Sequence, residues 1–176
     1  MKPIFTAIYK ASRLYWNTRF NDIHIPLSYD FAWQLLLAHP TADEDIVIPA
    51  ILLHDNGWKM IPEERQADAF GPKMKDADLR RQHELEGVRI AREILSAMPY
   101  PPEPMEEILQ IIDGHDSRKE ALSLNDQLVK DADNWHRHQR ARALPRGVVF
   151  RHPQPALDGG GPHRHSSHHP RLASLA

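Results

Sequence analysis

The stretch AILLHDNGWK, residues 50–59, runs from apolar side chains directly into an imidazole and a carboxylate. The apolar run predicts a buried helix, and Gly57 predicts that this helix stops soon after His54 and Asp55. Adjacent residues on a helix point about 100° apart, but near a helix end both side chains can reach one centre. A carboxylate can bridge two metal ions through its two oxygens, which an imidazole cannot do. The pair therefore favours a metal site at the end of this helix.

The composition is that of an ordinary soluble protein. The 176 residues suit one domain, with 41% hydrophobic and 26% charged residues. No apolar run approaches the roughly 20 residues of a membrane helix, and the N-terminus lacks a signal-peptide pattern. We therefore expect no membrane association and take the cytoplasm as the default compartment. The absence of cysteine excludes disulfides and thiolate zinc sites, so a metal site must use His, Asp, Glu and water.

The charge divides the chain into two parts. Residues 1–135 hold 15 Lys and Arg against 23 Asp and Glu, whereas residues 136–176 hold seven Arg against a single acid. The acidic body argues against nucleic-acid binding by the domain itself. The boundary predicts one helical domain over residues 1–137 and a low-complexity tail over residues 138–176.

The tail is rich in Arg, His, Pro and Gly, with seven of the 12 histidines in residues 136–176. We interpret it as either a product of a shifted reading frame or a native disordered segment. A third interpretation is metal binding through its HRHSSHH stretch.

The body predicts an all-α fold. The predicted helices are PIFTAIYKASRLYW, IPLSYDFAWQLLLAH, TADEDIVIPAILLHD, PEERQADAF, DADLRRQHELEGVRIAREILSAM, EPMEEILQIIDGH and LNDQLVKDADNWHR. In the second helix Pro26 should lie in the first turn, with Leu27, Phe31 and Leu35 near one face. In the third, Thr41 stands three residues before a glutamate, which predicts a capping box.

Five histidines lie in the body, four of them beside apolar helical faces or at helix ends. They are His24, His39, His54, His83 and His115. One such histidine usually means a core residue bonded to a carbonyl, but a set of four with nearby aspartates favours a divalent cation. His39, beside a proline at a helix end, is better explained as a cap. Trp58 is expected to belong to the core.

These segments resemble the HD-domain metal-dependent phosphohydrolase superfamily over roughly residues 20–137. AILLHDNGW resembles the namesake motif, and His24, thirty residues before His54, stands in the place of the first ligand histidine. HELEGVRIAREIL resembles the family's helix that begins with His and carries Gly four residues later. IIDGHDS resembles the segment that supplies a further histidine, and LVKDADNW resembles the closing motif, whose final aspartate follows alanine.

The resemblance implies an HD-domain-like helical bundle with one or two divalent metal ions, drawn from Mn, Fe, Co, Ni, Mg and Zn. It implies a first set of metal ligands consisting of His24, His54, Asp55 and Asp133. His83 and His115 would hold a second metal with Asp55 bridging, or would contact the phosphate.

Two aspartates leave alternatives open. Asp131 competes with Asp133 as the final ligand, although the two lie on different faces of the helix. Asp116 follows His115 where relatives often have a second histidine, and it could orient an imidazole by accepting a hydrogen bond.

The resemblance implies hydrolysis of a small phosphate ester such as a nucleotide, with Asp55, His83 and His115 as the catalytic residues. An acidic body with a cationic pocket suits a small anionic, phosphorylated substrate. Two alternatives stand beside it. One is a di-iron oxygenase on the same His/Asp scaffold, since ligand type alone does not separate the two. The other is a truncated, non-catalytic HD-domain protein, in one version contacting nucleic acid through its basic tail.

Overall fold

In the computed structural model, which describes residues 2–69, 76 and 78–134, the described chain is helical and contains no strand. Its helices are α1 (Pro3–Ser12), α2 (Asn21–Ala38), α3 (Glu44–Leu53), α4 (Glu63–Gln66), α5 (Asp78–Ser96), α6 (Pro102–Ile112) and α7 (Leu124–Asp133). Short 3-10 segments occur at Arg13–Tyr15, Asn56–Met60 and Ala67–Ala69. The predicted all-α fold is confirmed, whereas the predicted tail lies outside the described residues.

Helix α3 is the centre of the fold. Every residue from Ile46 to Leu53 is buried, and the helix packs against α1, α2, α6 and α7. A helix that is apolar on all sides is stable only when it is enclosed by other elements. The apolar run that opened the sequence analysis is therefore the core of the bundle, and its C-terminal end delivers His54 and Asp55 to the interior.

Pro49 lies inside α3, where it cannot donate the usual hydrogen bond to the carbonyl of Asp45. The hydroxyl of Tyr100, which follows α5, donates a hydrogen bond to that same carbonyl. The side chain thus replaces the donor that proline lacks. This contact ties the start of α3 to the segment between α5 and α6.

The second helix differs from its prediction. It begins at Asn21 rather than near Ile25, so Pro26 lies inside the helix. The expected apolar face holds only in part, because Phe31 and Leu35 pack against the core whereas Leu27 is 41% exposed. The side chains buried from α2 are Asn21, Ile25, Ser28, Tyr29, Ala32 and Leu36. Small and polar residues occupy part of the buried face, which is why hydrophobic spacing alone misplaced it.

Both ends of α3 also differ from expectation. The N-cap is Asp43, whose side chain accepts a hydrogen bond from the backbone of Asp45 at 2.8 Å, so the predicted capping box at Thr41 is wrong. The helix ends at Leu53, and Gly57 lies in the 3-10 segment Asn56–Met60 instead of terminating the helix. That segment, named the 56–60 turn from here on, packs closely against α5.

Among the residues that the structure describes, the helices are too short or too polar to cross a membrane.

Candidate metal centre

The imidazoles of His54 and His115 are oriented by the same local contact. The Nδ1 atom of His54 lies 2.8 Å from the carbonyl of Ile51, and Nδ1 of His115 lies 2.9 Å from the carbonyl of Ile112. Because a carbonyl oxygen only accepts, each Nδ1 carries the proton and each Nε2 of the neutral ring carries a lone pair. Both carbonyls belong to the last turn of a helix, three residues before the histidine. The helix ends therefore aim two Nε2 lone pairs into the interior.

One group of side chains joins α2, α3 and α7. The Nε2 atom of His24 lies 3.0 Å from Oδ1 of Asp133, and Nε2 of His54 lies 3.4 Å from the same oxygen. The three ligand atoms lie within 4.8 Å of one another. Asp131 instead accepts a hydrogen bond from Gln127 at 3.0 Å, along the outside of α7. The geometry therefore favours Asp133 over Asp131 as the ligand.

A second group surrounds His83, which comes from α5. Its Nε2 lies 3.2 Å from Nε2 of His115 and 3.8 Å from Oδ2 of Asp116. These three residues again bring one ligand atom each within 4.8 Å of the others. Asp116 is therefore placed as a possible ligand, whereas the sequence suggested only that it orients an imidazole.

Asp55 lies between the two groups. Its Oδ2 faces the first group, 3.8 Å from His24 and 3.7 Å from His54. Its Oδ1 faces the second, 3.4 Å from His115 and 3.9 Å from His83. Since the two oxygens of one carboxylate point to different sets of imidazoles, Asp55 is positioned to be shared between two ions.

The donor set fits divalent cations. Ligand atoms about 2.1 Å from one ion lie roughly 3.0–3.4 Å apart at octahedral to tetrahedral angles, which matches the closest separations in both groups. Within the described residues, the fully buried Nε2 of His54 makes no hydrogen bond of good geometry, although Asp133 lies 3.4 Å away. A buried nitrogen in that state is costly unless a proton or a cation engages it. Imidazole and carboxylate together suit Mn, Fe, Co, Ni and Zn better than Mg.

The electrostatics keep both central carboxylates ionised. Burial alone would raise the pKa of Asp55, but the charges of His54, His115 and His24 hold it well below its usual range. Burial also opposes ionisation of Asp133, whose pKa is nevertheless lowered by contacts with His24 and His54. Two ionised carboxylates that are largely shielded from water attract positive charge strongly.

The imidazoles divide by their proton affinity. Burial favours the neutral form of His115, but Asp55 and Asp116 outweigh it and raise the pKa of His115 to about 9. Burial, assisted by the neighbouring His115, lowers the pKa of His83 to about 3. Burial likewise opposes protonation of His54, but the two central carboxylates outweigh it and raise the pKa of His54. Without a cation, protons at this centre are therefore held by His115 and His54 rather than by His83.

Glu84, the residue after His83, fastens the second group together and was missed by the sequence analysis. Its fully buried side chain accepts hydrogen bonds from the backbone of Asp116 at 3.0 Å and from the backbone and hydroxyl of Ser117, both at 2.8 Å. Burial disfavours its charge, but the hydrogen bonds from Ser117 lower its pKa overall. Glu84 therefore fixes the turn that carries His115 relative to α5. The sequence offers one signal for it, an acid directly after a candidate ligand histidine.

Trp58 also takes part in the centre rather than serving only as core. Its ring stacks on His83 with centroids 4.0 Å apart and an interplanar angle of 15°. Its Nε1 donates to Oδ1 of Asp55 at 3.1 Å. The indole thus restrains the His83 imidazole by stacking and the Asp55 carboxylate by a hydrogen bond.

The structure brings all the residues proposed as metal ligands into one centre: His24, His54, Asp55, His83, His115 and Asp133. His39 does not join them within the described contacts. It follows the last residue of α2, and its backbone N–H donates to the carbonyl of Leu36 at 3.2 Å.

A bundle of helices around convergent imidazoles and carboxylates defines the chain as an all-α protein with a site suited to metal binding. The model of the HD-domain family matches residues 26–138, well over half of the chain. The protein therefore belongs to the HD-domain family, as the sequence motifs suggested. Searches of curated proteins and of solved structures found no match.

Proposed function

We propose that this protein is a metal-dependent phosphohydrolase that acts on a small phosphate ester such as a nucleotide. Family membership supports metal-dependent hydrolysis in general. The observation that carries the proposal is the division of the Asp55 carboxylate between two imidazole groups, Oδ2 toward His54 and Oδ1 toward His115. Such a carboxylate suits a pair of divalent ions that together engage one phosphoryl group.

When bound, the cations would supply Lewis acidity toward a phosphoryl oxygen and a water of lowered pKa. The ligands of the first ion would be His24, His54, Asp55 and Asp133. The chain's own contribution is to fix these groups and to keep the carboxylates ionised. Asp55 would also orient a water beside the phosphoryl group.

The role of His83 and His115 would depend on the number of bound cations. With two cations bound, they hold the second ion together with Asp55. With one cation bound, they face the phosphoryl group, where a protonated His115 can neutralise developing charge or protonate the leaving oxygen. The position of His115, with Nε2 3.4 Å from Oδ1 of Asp55 at the edge of the first group, suits that donor role.

The test is reconstitution of metal-free protein with each candidate ion, followed by a phosphate-release screen of nucleotides and a chromogenic phosphate monoester. We expect Asp55→Asn to reduce turnover by at least about 100-fold while the helical circular dichroism is retained. Asp133→Asn should lose bound metal, whereas the matched variant Asp131→Asn should not.

Full activity of Asp55→Asn, or phosphate release that needs no metal, would overturn the proposal. Oxygen consumption by the iron form without phosphate release would instead support the oxygenase alternative.

A further inference from the structure

The turn that leads into α2 has an unusual backbone. Arg19 and Phe20 have φ angles of 49° and 59°, the left-handed region that side chains other than glycine rarely adopt. Two consecutive residues in this region store strain, and such strain concentrates at functional sites. The turn lies directly before Asn21, whose side chain donates to the backbone carbonyl of Asp55 at 3.2 Å. The strained turn is thus attached to the metal centre.

The side chain of Arg19 extends from this turn over Trp58. Its Cζ lies 4.1 Å from the centre of the indole ring, and the ring of His83 stacks on the same indole at 4.0 Å. Two planar groups at such similar distances cannot share one face, so the indole is held between the guanidinium and the imidazole. Stacking leaves the N–H groups at the edge of a guanidinium able to bind an anion. The sandwich therefore places Arg19 at the rim of the centre.

The charges around Arg19 are those of the metal ligands. The residue as a whole is exposed, yet its guanidinium lies close enough to the protein for burial to lower its pKa, against the attraction of Asp55, Asp116 and Asp133. Cations bound by these carboxylates would neutralise part of the negative charge that now attracts the guanidinium. A phosphate bound at the rim would then be attracted by both the guanidinium and the cations.

We propose that Arg19 binds a phosphate oxygen of the substrate at the rim of the metal centre, with Trp58 holding the guanidinium in place. This inference rests on the proposed function and adds a residue that recognises the substrate. Arginine matches phosphate through two parallel hydrogen bonds, and these bonds are strong because both partners are charged. Arg19 lies outside the part of the chain that matches the family model.

The test uses the full-length, metal-loaded protein and inorganic phosphate as the probe, with affinity measured by calorimetry and by inhibition of phosphate-ester hydrolysis. Arg19→Gln should weaken phosphate binding about tenfold or more and raise KM, with bound metal unchanged. Arg19→Lys keeps the positive charge but loses the two parallel N–H groups of the guanidinium. Its affinity for phosphate should therefore lie between those of the wild type and Arg19→Gln. Arg13→Gln removes the same charge from an exposed position in the preceding 3-10 segment and should bind phosphate as the wild type does.

Arg19→Gly provides a second variant with a different effect on folding. Glycine accepts the left-handed backbone, so this variant should melt no lower than the wild type while losing phosphate affinity. A purely structural role for Arg19 predicts the reverse, a lower melting temperature with unchanged phosphate affinity, and that result would overturn the inference.

The outcomes separate this inference from the proposed function. Normal hydrolysis and phosphate affinity in Arg19→Gln would remove the role of Arg19 and leave phosphohydrolase activity standing. Phosphate binding that depends on Arg19, in a protein that hydrolyses no phosphate ester, would support the anion site and contradict the proposed function. A metal-loaded wild type that does not bind phosphate would overturn the inference.

Discussion

At the scale of single residues, Gly57 decides how closely the 56–60 turn can approach α5. A Cβ atom at this position would lie 1.9 Å from the carbonyl oxygen of His83 and 2.5 Å from the backbone nitrogen of Gly87. Both neighbours are backbone atoms of a helix, so neither can rotate away. The absence of a side chain at Gly57 therefore allows His83 to lie beside the end of α3.

We predict that Gly57→Ala destabilises the protein by about 1–3 kcal/mol, because overpacking against backbone must displace a helix. The displacement should also move His83 and weaken the binding of a second metal ion. Thermal unfolding and metal titration would measure the two effects. The control is Lys59→Ala in the same turn, where the side chain is exposed and both quantities should remain unchanged.

At the scale of elements, α3 combines a proline in its interior with burial of every residue from Ile46 to Leu53. A proline there leaves the carbonyl four residues earlier without its helical donor, and such a carbonyl needs another partner where water has limited access. Tyr100 supplies that partner for Asp45. Burial raises the pKa of Tyr100, so the hydroxyl keeps its proton and can donate throughout the ordinary pH range.

Tyr100→Phe should therefore lower the free energy of unfolding by about 1–2 kcal/mol, since the half-buried carbonyl would lose the donor that Tyr100 supplies. The ring is retained, so packing should change little. Chemical denaturation would measure the effect, with Tyr15→Phe as the control for loss of a hydroxyl elsewhere. Equal stability of Tyr100→Phe and the wild type would show that water replaces the donor.

At the scale of the whole molecule, the centre exists only when the bundle is complete. Its ligands come from α2, from the end of α3, from α5, from the turn after α6 and from α7. In the folded protein the pKa of His115 is raised and that of His83 is lowered from the ordinary value of histidine. The stability of the metal-free protein should therefore depend on pH in a way that reports on the centre.

We predict that the free energy of unfolding of the metal-free protein is highest at about pH 6.5, the ordinary pKa of histidine. The pKa of His115 is raised to about 9 in the folded protein, so its protonation stabilises the fold fully below about pH 6.5. This stabilisation is lost as the pH rises to about 9. The lowered pKa of His83, about 3, means that acid must force a proton onto a buried ring, so stability also falls below pH 6.5. Urea unfolding at a series of pH values would measure both slopes.

Added metal should remove the alkaline loss, because a cation takes the place of the proton on His115. Metal affinity should in turn weaken as the pH falls below about 9, where protons compete for the same nitrogen. Constant stability of the metal-free protein between pH 6.5 and 9 would contradict the assignment of this proton to His115.

The sequence predicted the bundle and the candidate ligands because both depend on local patterns. The α6 face that includes Ile108, Ile111 and Ile112 is buried as its spacing required, and the motifs placed His54 and Asp55 at a helix end. The start of α2 was misplaced because its first turn depends on the left-handed turn at Arg19, which no apolar period reveals. Glu84 was missed because its partners follow a different helix and meet it only in the folded chain.

The division between a buried centre and an exposed turn at Arg19 has a consequence for evolution. The residues proposed to hold metal are buried or half-buried between the helices of the bundle, where most substitutions harm folding. The side chain of Arg19 is exposed, so its charge can be replaced while the centre keeps its metal, as expected for Arg19→Gln. Natural variation at this turn could therefore redirect the protein toward new substrates while the reaction it performs is conserved.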